Sequence, residues 1–262
     1  MSPYASAFLL QVQTGLRYRL NTLFFLPIFV VPALAAFFLW SAVLGPSGQL
    51  GSYDLPSMVT YYLVTHFFVS NTPFSAWTEI GESIRDGTLA RWLTRPAGHY
   101  GLFLARNLGT WVLYWLMGIG GVVALGLLLR PHFRFQPDPY LVLAALSLWL
   151  GGVVLGFTWG YLLQLTAFWT ERVRGSLGVV EQVVSFLAGA LAPLDLLPLW
   201  GLWQWLPFRF AGYVPAQIYL GRMSEREIGA EAAILLGWML AFAVLVQVVW
   251  QRGLRRFQGA GG

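Results

Sequence analysis

Residues 77–100 read WTEIGESIRDGTLARWLTRPAGHY, from Trp77 to Tyr100. Glu79, Glu82, Arg85, Asp86, Arg91 and Arg95 make this the longest polar segment in a very apolar chain. Long hydrophobic runs flank it on both sides. A polar segment held between two apolar runs is a surface element facing water, and its charges suit a soluble partner.

The 262 residues are 57% hydrophobic and 10% charged, against about 25% charged in soluble proteins. Several apolar runs reach the roughly 20 residues needed to cross a hydrocarbon core. The composition therefore defines an all-α, polytopic membrane protein forming a single transmembrane domain over 1–262. All 16 basic residues are Arg, and Cys is absent, which excludes disulfides and thiolate metal sites.

The chain before the first run, residues 1–21, places Leu9, Val12, Leu16 and Leu20 on one side at helical spacing. That pattern predicts an interfacial helix. Six spans are expected, at about 22–44, 57–77, 107–129, 140–169, 176–194 and 232–250, with the segment 78–100 between the second and third. Thirty apolar residues in span 4 would measure about 45 Å, so it must tilt or project. Region 195–230 changes character: it holds short apolar pieces, several prolines, and Trp200, Trp203 and Trp205. It predicts re-entrant or interfacial helices on the outer side.

With the N-terminus inside, eleven Arg fall in inner segments and five in outer ones. The bias favours N-in and C-in, and it puts 78–100 in the cytoplasm.

Sites of chemistry are scarce. Asp86-Gly87-Thr88-Leu89-Ala90-Arg91 fits the core of membrane CDP-alcohol phosphotransferases, yet Ser83, Tyr100, Leu104 and Leu108 stand where further site residues would be. One carboxylate cannot replace the several oxygens that a hard cation needs. There is no Walker-type phosphate loop, and His66, His99 and His132 lack metal-ligand spacing. Metal and catalytic residues are therefore expected to be none. Glu181, followed by Gln182, is the one carboxylate well inside an expected span. An acid at the bilayer centre costs about 2.5–3.5 kcal/mol, and less near the end of a span. Glu181 could pair with an Arg of the 170–174 turn, touch a partner subunit, or attract a cation into a cavity. His66 and Asn71 either pack between helices or line a translocation path.

The segment Glu79-Ile80-Gly81-Glu82-Ser83-Ile84-Arg85-Asp86-Gly87-Thr88-Leu89, with Leu93-Thr94-Arg95-Pro96, resembles the permease subunits of ABC-2-type transporters, in their bacterial daunorubicin-resistance-like branch. Leu206-Pro207-Phe208, Pro215, Ile218-Tyr219-Leu220-Gly221, Arg255-Arg256-Phe257 and Gly261-Gly262 continue the likeness. The resemblance implies an exporter subunit in the bacterial cytoplasmic (inner) membrane, paired with a second permease chain, either a copy or a similar sister. It implies a separate ABC ATPase that carries ATP and Mg, with no cofactor on this chain and no nucleic acid partner. Residues 79–95 would form the coupling helix, and Pro207, Phe208 and Pro215 an outer re-entrant gate.

Elementary physics agrees with such a lever: Ile80, Ile84 and Leu89 offer apolar contacts to a partner, and Glu79, Glu82, Arg85, Asp86 and Arg91 offer charges. Gly87 can end one helical piece and Pro96 begin the next. Aromatic-rich spans would suit a drug, a membrane lipid or an organic cation. A membrane-embedded lipid-modifying enzyme, and a secondary transporter or channel, are the alternatives.

Overall fold

Local stop and start signals set where the long helices lie. In the computed structural model, which describes residues 2–17, 25–45, 48–74, 79–95, 97–170, 174–198 and 200–257, helices α1 (Pro3–Arg17) and α2 (Phe25–Leu44) come first. A two-stranded hairpin follows, β1 (Gln49–Leu50) with β2 (Tyr53–Asp54), in the register Gln49–Asp54 and Leu50–Tyr53. Asp54 then caps α3 (Leu55–Ser70) by accepting from the Ser57 N–H at 3.0 Å.

The polar segment forms two short helices, α4 (Glu79–Arg85) and α5 (Leu89–Leu93). Helix α6 (His99–Leu128) leads through a 3-10 turn, Arg130–His132, to α7 (Pro139–Leu165). Asp138 caps α7, with Pro139 at its first position. Helix α8 (Arg174–Leu187), the short pieces α9 (Trp200–Trp203) and α10 (Tyr213–Tyr219), and α11 (Glu225–Leu254) complete the chain. A capping box between Ser224 and Glu227 starts α11.

Among the described residues, three segments are long and apolar enough to cross a membrane: His99–Leu128, Pro139–Phe168 and Glu225–Leu254, each of 30 residues. The other three expected spans fall on α2, α3 and α8, helices of 20, 16 and 14 residues. Two boundaries need correction. The second expected span ran to Trp77, but α3 stops at Ser70. The Asn71 side chain turns back onto the Phe67 carbonyl at 2.8 Å, and Pro73 has no N–H to continue the ladder. The helix that carries the third expected span begins at His99 rather than at 107, and its polar first turns pack against α1. Residues 18–24 with Leu20 and Thr22, residues 75–78, Pro96, the 171–173 turn with Arg172, and Gly261-Gly262 lie outside the described residues.

Helix α1 lies along the first half of α6. A Cβ on Gly109 would come within 2.4 Å of the Phe8 carbonyl oxygen, so the two backbones approach closely. The Tyr4 hydroxyl accepts from the Gly98 N–H at 3.0 Å. At the same end, the start of α6, the end of α7 and the end of α11 meet around α4 and α5. At the opposite end the hairpin, the Arg130–His132 turn and α10 come together: Arg134 N–H donates to Thr60 Oγ1 at 2.8 Å and Gln136 Nε2 to the Tyr219 carbonyl at 2.7 Å.

The expected interfacial pieces of 195–220 are in large part buried. Tyr213 to Ile218 are enclosed throughout, and the 3-10 turn Pro207–Ala211 presses on α7 so closely that a Cβ on Gly152 would meet the Phe210 carbonyl oxygen at 2.3 Å. Broken helices at membrane depth are tolerated where protein covers their backbone. Trp205 remains exposed and accepts, through its carbonyl, from the Trp238 indole at 3.1 Å.

Candidate functional site

Helix α4 has one apolar face, and that face turns inward. Ile80 and Ile84 fall four residues apart, and Leu89 follows on α5. All three are buried with Phe103, Phe157, Tyr161 and Leu165. This corrects the reading of Ile80, Ile84 and Leu89 as contacts offered to a partner: they belong to this chain's own core and pin α4 and α5 to α6 and α7. Gly81 permits the close fit, since a Cβ there would reach within 2.4 Å of Gln164 Oε1.

Between the two helices the backbone reverses at Asp86-Gly87-Thr88. Gly87 has φ +75°, which ends α4 without strain. Asp86 Oδ1 accepts from the Thr88 N–H at 2.9 Å and from its hydroxyl at 2.7 Å. Those hydrogen bonds hold the Asp86 carboxyl below its ordinary range. The turn is thus ordered locally while its outer surface stays in solvent. Arg85, Asp86, Ala90, Arg91, Leu93, Thr94 and Arg95 form that exposed side.

Glu79, expected to offer its charge to a partner, pairs with Arg106 of the same chain at 3.2 Å. Sequence reading missed Trp92, Arg106 and His99. The Trp92 ring carries two guanidinium groups, Arg95 at 4.2 Å and Arg106 at 5.3 Å from its centroid. His99 Nδ1 lies 2.9 Å from the Tyr161 hydroxyl, and its ring stacks on Phe103 and Trp250. Trp250 stands on α11, so one imidazole joins three long helices beneath α4 and α5. A lone His at the edge of a polar segment carries no signal of that role.

The other singled-out residues separate. Asn71 is structural: beyond its cap, its carbonyl accepts from the Trp115 indole at 3.1 Å. His66 is half-buried, stacked on Tyr62 with ring centroids 5.8 Å apart. Glu181 and Gln182 lie on α8, whose Val184 packs in a cluster with Val69 and Phe74. Gln182 is exposed and Glu181 half-buried. Pro207 and Pro215 are buried, and Phe208 sets its ring edge-to-face on Trp159 at 5.2 Å.

Long apolar helices, buried broken pieces at one end and a charged, pinned helical turn at the other define a multi-pass membrane transport subunit. Residues 30–261 match the family model described as ABC-2 family transporter protein, and the chain belongs to that family. No curated protein matches it.

Proposed function

We propose that the chain is the permease subunit of an ATP-driven exporter, moved by a separate ABC ATPase that grips residues 79–95 in the cytoplasm. The observation that carries this reading is the two-sidedness of α4 and α5. Their apolar side is fastened to α6 and α7, and Arg85, Asp86 and Arg91 face outward. A lever must be stiff toward the part it moves and exposed toward the part that pushes it. ATP and Mg belong to the ATPase, and closing of that partner drives a change in span packing.

In this reading the termini face the cytoplasm of a bacterial inner membrane, and all six apolar helices take part in the membrane domain. Two permease chains enclose the path, with the exposed Val179, Gln182 and Val183 side of α8 toward the second chain. His66 and Glu181 border that path, and the piece carrying Pro207, Phe208 and Pro215 closes it outside. Hydrophobic or amphipathic cargo, whether drug, lipid or organic cation, suits aromatic walls.

The test asks whether a neighbouring reading frame encodes a soluble Walker-type ATPase and co-expresses the chain with it. The wild-type chain is expected to co-purify with it and raise its ATP hydrolysis in proteoliposomes. Arg85→Glu with Arg91→Glu is expected to abolish both while leaving the permease folded. Equal co-purification by that double variant would refute the lever.

A further inference from the structure

We infer that the notch between α1, α5 and α6 is a binding site for the phosphate headgroup of an anionic phospholipid. It is a cavity of about 570 Å³, walled by Ala7, Leu10, Trp92 and Leu102, with Arg95 and Arg106 at its polar side. A second cavity of about 150 Å³ adjoins it; Gln11, Glu79 and Arg106 line both.

Three observations point to the ligand. First, the charge is cationic and incompletely matched. Arg106 has Glu79 as a partner, whereas no described carboxylate pairs with Arg95. The Arg95 guanidinium carbon lies 4.2 Å from the Trp92 ring centroid and the residue is exposed, so its N–H groups are accessible to a bidentate oxyanion. Second, Asn107 is only 4% exposed and lines the smaller cavity, yet neither its Nδ2 nor its Oδ1 has a partner. A buried amide without hydrogen bonds costs about 1–3 kcal/mol, and phosphate and glycerol oxygens would satisfy it. Third, the site sits at headgroup depth. Helix α6 has 30 residues, about 45 Å, and a hydrocarbon core of about 30 Å leaves roughly ten over. Arg106 and Asn107 fall within the first nine residues of that helix. The apolar walls then take the upper part of an acyl chain, which a free phosphate would not use. The inference does not depend on whether an ATPase grips the lever.

Native mass spectrometry of the full-length chain in detergent tests this with phosphatidylglycerol, phosphatidylcholine and inorganic phosphate as probes. Phosphatidylglycerol is expected to be retained about fivefold over phosphatidylcholine, the preference that one Arg near a membrane surface supplies. Arg95→Gln should remove that preference, whereas Arg226→Gln, an exposed residue at the far end, should keep it. Glu79→Gln should raise it, because the competing carboxylate is gone; a merely structural role for Glu79 would not. Equal retention of the two lipids, or an unchanged preference in Arg95→Gln, overturns the site. Displacement of phosphatidylglycerol by millimolar inorganic phosphate would assign it to the free anion and overturn the lipid.

Discussion

Gly152 and Phe210 lie in backbone contact: a Cβ on Gly152 would meet the Phe210 carbonyl oxygen at 2.3 Å. This approach lets the broken 207–219 region sit against α7 with its polar backbone covered.

A carbonyl cannot rotate away, so Gly152→Ala is expected to cost about 1–3 kcal/mol by overpacking. Two neighbours calibrate the effect. Gly151 faces the Leu235 side chain, which can turn aside, so Gly151→Ala should cost less. Gly237 has open space around it, and Gly237→Ala should stabilise α11 by up to about 1 kcal/mol. Thermal unfolding in detergent should rank the three in that order.

Arg209 is almost fully buried and meets Glu231 twice, Nη1 to Oε1 at 2.7 Å and Nη2 to Oε2 at 2.6 Å. Removing one partner strands a charge, so Glu231→Leu should destabilise by about 3–5 kcal/mol. Replacing both with Leu should recover much of that loss. A double variant no more stable than the single would show that the pair carries more than its own charge.

Leu89→Ala empties a fully buried position at the start of α5 and should cost about 2–5 kcal/mol of stability. Arg91→Glu, on the exposed side of the same helix, should leave the stability within about 0.5 kcal/mol of wild type. The pair of measurements checks which side of α5 belongs to the core.

Asp54 makes the hairpin end sensitive to acid. Partial burial pushes its carboxyl up, but hydrogen bonds from Ser57 and the charge of Arg134 outweigh this and hold it below 3.8. A carboxyl lowered by folding contributes stability above its unfolded pKa and loses it as pH falls through the lowered value. Asp54→Asn should therefore reduce stability at neutral pH and flatten the loss of stability below pH 3.8.

Much of this protein was legible locally. The apolar runs specified a membrane protein, whereas the caps at Asp54, Asp138 and Ser224 that start α3, α7 and α11 were found only in the structure. The charged segment at 79–95 stood out by contrast with its flanks, and its likeness to ABC-2 permeases agrees with the family match. The inward facing of Ile80, Ile84 and Leu89 was not legible, since an apolar stripe on a short helix fits a partner as well as a core. Phe157, Tyr161 and Leu165, more than sixty residues further along, decided it. The same distance in sequence hid the hold of Tyr161 and Trp250 on His99, and a shorter one that of Glu231 on Arg209. Composition determined what kind of chain this is. Tertiary packing alone decided which side of each short helix is buried and which is left in solvent, because burial depends on what lies opposite.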